Sequence, residues 1–243
     1  MKYIAGHCTL DDFGRLLDTA HALADVDRSI VLRAKVQGGG TMIDRYWQPA
    51  FSFAAGCSML EAAVTESGLA GWATEVRTPG EAEVATEFGA DTVWIGARNA
   101  YNYQLLEATA HACREHGTRL IIKRGLTMTH EDMANLGEVI TQRYGMEPEW
   151  CERGISHSAR TDRERWVYDF ASHADGVCAW GDPSHGSCAW HRVRGYAVSA
   201  ARMGATGLML EVYADPKATT TDKMYAIGMQ DFRALYSEVA GLE

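Results

Sequence analysis

Residues 3–32 read YIAGHCTLDDFGRLLDTAHALADVDRSIVL, and this stretch sets the pattern for the rest of the chain. It opens on a short apolar run, Tyr3-Ile4-Ala5, and closes on a second, Ile30-Val31-Leu32, both of strand type. Between them, residues 11–25 place Phe13, Leu16, Leu17, Ala20 and Leu23 at steps of three and four, the spacing of one apolar helix face. The unit is strand, helix, strand.

The same unit recurs. Strand-type runs fall at 72–76, 92–96, 119–123, 150–154, 176–180 and 207–212, and stretches of helical period separate them. With the first two, that makes eight strands. Pro79 suits a first helical turn, Gly117 a helix stop, and Thr129-His130-Glu131-Asp132 has the form of a capping box with Asp in place of Glu. No internal repeat, low-complexity segment, Pro/Ser-rich linker or charge block divides the 243 residues. The pattern predicts an α/β protein, a single (β/α)8 TIM barrel over residues 1–243, in preference to an open doubly wound sheet. It leaves no room for a regulatory domain beside the barrel.

Composition narrows the function classes. With 47% apolar residues, 23% charged and 5 Pro, the chain falls outside the disordered, collagen-like and coiled-coil classes. A balance of 23 Lys+Arg against 32 Asp+Glu, net −9, argues against a nucleic-acid partner. There is no run of 18 apolar residues, and the opening MKYIAGHCTLDD has one Lys soon followed by acids, which excludes a membrane span and a secretory leader. The six cysteines lie scattered with no CxxC spacing, as expected of reduced thiols in a cytoplasmic protein without a zinc finger.

In such a barrel, chemistry sits at the C-terminal strand ends and in the loops that follow. Those positions hold Cys8, Arg33 or Lys35, Glu75, Arg98, Lys123, Arg153, Asp182 with His185, and Glu211. Cys8, His185, Glu211 and, in the last loop, Asp222 come from strand ends that are neighbours once a barrel closes. Their thiolate, imidazole and carboxylate groups can share a borderline divalent metal such as Mn, Fe, Co or Zn. Each also has a structural role open to it: a core thiol, a loop histidine, a partner for a nearby arginine and a helix cap.

Arg98, Lys123 and Arg153, with Arg124 beside them, form a cationic half suited to a small phosphorylated carboxylate. Pairing with Glu75, Glu152 and Asp182 is the structural alternative. Gly96-Ala97-Arg98-Asn99 offers backbone N–H groups at a turn. Gly38-Gly39-Gly40 lacks both the P-loop and the dinucleotide-binding spacing and reads as a loop.

Five segments, Ile95-Gly96-Ala97-Arg98-Asn99, Ile122-Lys123-Arg124-Gly125, Cys151-Glu152-Arg153-Gly154-Ile155, Asp182-Pro183-Ser184-His185-Gly186 and Leu210-Glu211-Val212, resemble in order the signatures of one superfamily. It comprises the type I 3-deoxy-7-phosphoheptulonate (DAHP) synthases and the 3-deoxy-octulosonate-8-phosphate synthases. The opening Gly6-His7-Cys8 resembles that family's Gly-Pro-Cys. The resemblance implies a metal-dependent, C–C bond-forming transferase that condenses phosphoenolpyruvate with an aldose or other aldehyde, giving a 3-deoxy-2-ulosonate and phosphate. It implies metal ligands at Cys8, His185, Glu211 and Asp222, phosphoenolpyruvate contacts at Arg98, Lys123 and Arg153, with Arg33 a further match, and a homo-oligomer, dimer or tetramer. On this reading Lys123 carries proton transfer, and Cys8 and His185 serve catalysis through the metal.

The departures fall on the acceptor side. Where the family carries Lys-Pro-Arg-Thr/Ser or Lys-Ala-Asn-Arg after the second strand, this chain reads Arg33-Ala34-Lys35-Val36-Gln37-Gly38-Gly39-Gly40, then Asp44-Arg45-Tyr46-Trp47-Gln48-Pro49. Lys35 or Arg45 takes the place of the missing lysine, and the sequence leaves both open. His7 stands for the family's proline, and Ser156 for an arginine common in the heptulonate branch. The expectation is an acceptor other than erythrose 4-phosphate. An ordinary DAHP synthase with a rebuilt loop and a non-catalytic binding homologue are the alternatives.

Overall fold

The computed structural model describes residues 1–36, 51–154, 179–219 and 221–242. Eight parallel strands, β1 (Lys2–Thr9), β2 (Val31–Lys35), β3 (Gly71–Val76), β4 (Thr92–Ile95), β5 (Arg119–Lys123), β6 (Glu149–Glu152), β7 (Ala179–Gly181) and β8 (Gly207–Tyr213), pair in chain order, and β1 pairs with β8 to close the barrel. The described helices are α1 (Phe13–Ala24), α2 (Phe53–Ser67), α3 (Pro79–Glu87), α4 (Tyr103–His116), α5 (His130–Tyr144), α6 (Pro183–Ser187), α7 (Val193–Arg202) and α8 (Met229–Ala240). The TIM barrel read from the sequence is the observed fold. A two-residue strand, β9 (Ile227–Gly228), extends β8 at Val212 and Tyr213; it is too short for periodicity to signal.

Helix ends follow the local chemistry of the sequence. The side chains of Asp12, Ser52, Thr78, Asn102 and Thr129 each accept a backbone N–H at the start of a helix. Thr129 and Asp132 complete the anticipated capping box, Pro79 opens α3, and Gly117 closes α4 in the left-handed conformation. The described cysteines, Cys8, Cys57, Cys113, Cys151 and Cys188, are free thiols.

Two apolar layers hold the barrel. The outer one packs helix faces, such as Leu16, Ala20 and Leu23 of α1, on outward strand residues such as Ala5, Leu32 and Val93. The inner one takes one residue from each strand: Ile4, Val31, Ala73, Trp94, Ile121, Cys151, Trp180 and Met209. Trp94 and Trp180 are wholly buried there, and Gly207 gives Trp180 its room, since a Cβ at that position would lie 2.5 Å from the indole.

Side chains on a strand alternate with period two, so the residue two places beyond each inner position faces the same interior one level nearer the C-terminal mouth. That level holds Arg33, Glu75, Gly96, Lys123, Arg153, Asp182 and Glu211. In β1 it falls on Gly6, and Cys8 stands one step higher. Gly6 has φ 145°, and a Cβ there would lie 2.5 Å from the Arg33 carbonyl oxygen. The register of β1 on β2 shifts between Gly6 and Thr9, so this close approach sets where Cys8 emerges.

Two glycine substitutions should therefore act in opposite directions. Gly6→Ala is expected to destabilise by about 1–3 kcal/mol, because both φ and space forbid the methyl group. Gly80→Ala, in α3 with nothing within 4 Å of the added carbon, is expected to stabilise by about 0.5–1 kcal/mol. Urea unfolding of the two variants against wild type checks both.

Candidate active site

Cys8 from β1, Glu211 from β8 and Asp222 from the loop beyond it meet at the mouth. One ligand atom from each lies within 4.8 Å of the others. Cys8 Sγ donates to Asp222 Oδ2 at 3.2 Å, and Lys35 Nζ stands 3.6 Å from the same sulfur and 3.7 Å from Glu75 Oε2. Burial pushes the Cys8 thiol up to about 12; Glu211 adds to the effect and Lys35 opposes it. Burial also raises Glu211, against the pull of Arg33 and Lys35. Among the described residues, the buried Glu211 Oε2 has no hydrogen-bond partner. A thiol, two carboxylates and an orphaned buried acceptor at this spacing fit a divalent cation.

His185 joins this group through Glu211, its Nε2 lying 3.5 Å from Glu211 Oε1. It sits in the short helix α6, whose first N–H groups are capped by Asp182, and Pro183 starts the turn. Burial, with Lys123 and Arg153 nearby, holds its pKa well below the usual histidine range despite Asp182, so the ring is neutral. Its Nδ1–H donates to Asp182, at 2.8 Å from Oδ2 and 3.0 Å from Oδ1, which turns the Nε2 lone pair toward Glu211. Asp222 has φ 49° and sits in a turn whose Tyr225 N–H returns to its carbonyl, so it is not a helix cap.

The cations divide into three settings. Lys123 Nζ is 2.6 Å from Asp182 Oδ2, and Arg124 Nη1 is 2.7 Å from Glu152 Oε2, so these two take the paired arrangement that the sequence left open. Arg33 is fully buried, with Nη2 3.4 Å from Glu211 Oε1, its guanidinium 5.0 Å from the Trp94 ring centre, and Nε and Nη1 without hydrogen-bond partners among the described residues. Arg153 is buried just beyond β6, whereas Arg98 lies exposed on a 3-10 turn (Ala97–Asn99) at the rim. Arg45, with the rest of 37–50, and Ser156 lie outside the described residues.

Sequence reading missed three supports. Tyr213 accepts the Cys8 N–H through its hydroxyl at 2.7 Å and stacks on His7 with ring centres 4.1 Å apart. Trp94 lies beneath Arg33 and also beneath Lys123, whose Nζ is 5.6 Å from the ring centre. The period-two step, forward from Glu211 and back from Gly96, points to both. Ser184, whose hydroxyl accepts the Glu211 N–H at 2.9 Å, has no comparable signal.

With this geometry in place, comparison with known proteins is direct. A model of the DAHP synthetase I family matches residues 1–242. A phospho-2-dehydro-3-deoxyheptonate aldolase of Thermotoga maritima is 27% identical over 247 residues, covering 98% of this chain and 69% of that protein. The crystal structure of a phospho-2-dehydro-3-deoxyheptonate aldolase (DAHP synthase) from that organism superposes with a TM-score of 0.87 at 25% identity, over 100% of this chain and 68% of its own. A truncated form of 3-deoxy-D-arabino-heptulosonate 7-phosphate synthase, also from Thermotoga maritima, gives 0.84 at 25% identity, covering 100% and 86%.

Glu152 is the support most open to a stability test. Its Oε1 accepts the N–H groups of Arg153 and Gly154 at 2.9 and 2.7 Å, while Oε2 holds Arg124. Glu152→Ala takes the carboxylate from a buried guanidinium and two buried N–H groups. A loss of about 3–5 kcal/mol in denaturant unfolding is expected, against less than about 0.5 kcal/mol for an exposed control such as Glu107→Ala.

Proposed function

The chain belongs to the DAHP synthetase I family, and we propose on that premise that it joins phosphoenolpyruvate to an aldehyde, an aldose other than erythrose 4-phosphate. A bond forms between the methylene carbon of the enol phosphate and the aldehyde carbon. Water adds at the second carbon of the enol, the bond from that carbon to the phosphate oxygen breaks, and the aldehyde oxygen ends protonated. The products are a 3-deoxy-2-ulosonate and inorganic phosphate.

The observation that supports this reading is Arg33, a fully buried guanidinium with two nitrogens that have no hydrogen-bond partner among the described residues, beside the cluster of Cys8, Glu211 and Asp222. A buried cation with donors to spare suits a carboxylate or phosphate that can take a forked contact. Lys123 and Arg153 complete the buried cationic wall, Arg98 reaches in from the rim, and Lys35 adds charge beside Cys8. Together they would orient the enol phosphate and stabilise charge on the departing phosphate, an effect that a dry mouth strengthens. Lys123, held by Asp182, is the group assigned to proton transfer.

Cys8, His185, Glu211 and Asp222 would hold a divalent Mn, Fe, Co or Zn ion, which as a Lewis acid polarises the acceptor carbonyl. A neutral His185 ring that donates its Nδ1–H to Asp182 would present Nε2 to the ion.

Metal content tests the ligand set. About one divalent ion per chain is expected in the isolated protein, with activity lost on chelation and restored on re-addition. Cys8→Ala is expected to lower metal affinity by at least about 10-fold. Full metal content in that variant, measured by elemental analysis after dialysis, would remove Cys8 from the set.

Acceptor choice rests on the departures after β2 and at His7, which here stacks behind Cys8 on Tyr213. Loss of a charged hydrogen bond to the sugar phosphate costs about 1.5–3 kcal/mol, so kcat/KM for erythrose 4-phosphate should fall about 10- to 150-fold below that of the preferred acceptor. Phosphate release with phosphoenolpyruvate and a panel of aldoses and simple aldehydes measures this. Erythrose 4-phosphate as the best substrate of the panel would show the loop rebuilt for the same sugar.

A further inference from the structure

We propose that Asp182 is a positioning residue that couples metal occupancy to phosphoenolpyruvate binding by holding His185 and Lys123 on one carboxylate. The proposal rests on the functional reading above and adds a linkage between its two halves. Asp182 is fully buried, and its Oδ2 is shared, 2.6 Å from Lys123 Nζ and 2.8 Å from His185 Nδ1. Lys123 and Asp182 come from β5 and β7, alternate strands whose side chains meet at one interior level. The Asp182 backbone is fixed as well, since its N–H donates to the Glu152 carbonyl at 2.9 Å and its side chain caps α6.

One carboxylate oxygen therefore serves two masters with different tasks. Its bond to His185 Nδ1 orients the ring with Nε2 toward Glu211 and the metal cluster. Its bond to Lys123 competes for the same electron density. An anion that draws the Lys123 ammonium toward itself releases Oδ2 to the imidazole and makes Nε2 a better donor to a metal. Anion and metal then favour one another, and the preference is reciprocal by thermodynamic necessity. An asparagine at 182 keeps the shape and the capping oxygen, but its amide cannot accept from both partners.

The test is Mn2+ titration of the full chain, depleted of metal by chelator dialysis, by calorimetry with and without saturating phosphoenolpyruvate. In wild type, phosphoenolpyruvate is expected to tighten Mn2+ binding about 10-fold, within the usual range of such couplings. Asp182→Asn should weaken Mn2+ binding alone about 10- to 100-fold and reduce the linkage to under about threefold. Loss of metal affinity by itself would follow from any structural damage; collapse of the ratio would not.

A second variant guards against misfolding. Lys123→Met should bind Mn2+ alone at least as tightly as wild type, because the competitor for Oδ2 is gone. A fall as large as that in Asp182→Asn would overturn the proposal. So would a linkage that survives in Asp182→Asn. Wild type that binds Mn2+ and phosphoenolpyruvate independently would overturn the coupling and leave the functional reading in place. Wild type that binds Mn2+ but no phosphoenolpyruvate would overturn both.

Discussion

Trp94 and Trp180 fill the centre of the barrel, and the charged level above them depends on what they close off. Arg33 and Lys123 rest over the Trp94 ring, while Arg119, from the opposite end of β5, lies with its guanidinium 5.9 Å from the centre of Trp180. The Trp180 indole N–H donates to Glu149 at that same end. Two indoles thus fill the interior below the charged level. Each buried charge above them must find a partner in the protein or a ligand, because burying it alone costs several kcal/mol.

The partners are distributed unevenly. Toward β5, β6 and β7 the contacts are short, with Lys123 on Asp182 at 2.6 Å and Arg124 on Glu152 at 2.7 Å. Toward β1, β2 and β8 they are long: Arg33 to Glu211 at 3.4 Å, Lys35 to Glu75 at 3.7 Å and Lys35 to the Cys8 sulfur at 3.6 Å. The first side is built as closed pairs. The second leaves donor and acceptor capacity unspent, on Arg33 Nε and Nη1 and on Glu211 Oε2. The proposed metal ligands Cys8, Glu211 and Asp222, with Arg33, fall on that open side, Lys123 and Arg153 of the proposed enol phosphate site on the other, and Asp182 stands where the two sides meet.

The barrel was legible because its determinants are local. Strand runs, apolar faces at three and four residue steps, and caps at Thr78, Asn102 and Thr129 each sit within a few residues of the element they define. The site was legible where it follows from strand parity, which brings Arg33, Lys123, Asp182 and Glu211 to one level. Which cation pairs with which acid was not, because Lys123 and Asp182 are 59 residues apart and only barrel closure brings them together. Arg98 shows the limit differently. It follows its strand as Lys123 does, but the chain turns into a 3-10 helix at Ala97 and leaves it exposed at the rim. The place of Tyr213 behind Cys8 depends on contact between β1 and β8, the longest-range pairing in the fold.

Strain follows the same division. Helices α1 to α6 start on ordinary side-chain caps, whereas the positive-φ residues other than glycine among those described, with Gly6, collect at the mouth. Gly6 has φ 145° where β1 crowds β2, Cys188 has φ 56° just beyond α6, and Asp222 has φ 49° in the loop that brings its carboxylate to Cys8. A left-handed aspartate and a crowded glycine each cost stability, and neither improves the packing of the apolar layers. The acids they help assemble also repel: Glu211 raises the Cys8 thiol and Asp222 raises Glu211, on top of burial. A fold selected for stability alone would separate these groups or replace them with apolar side chains, as it does lower in the same strands at Ile4 and Met209. Acidic groups held together against both strain and repulsion are what a cation site demands, and this is the physical argument for the proposed metal ligands Cys8, Glu211 and Asp222, with His185 beside Glu211, rather than for the closed pairs opposite.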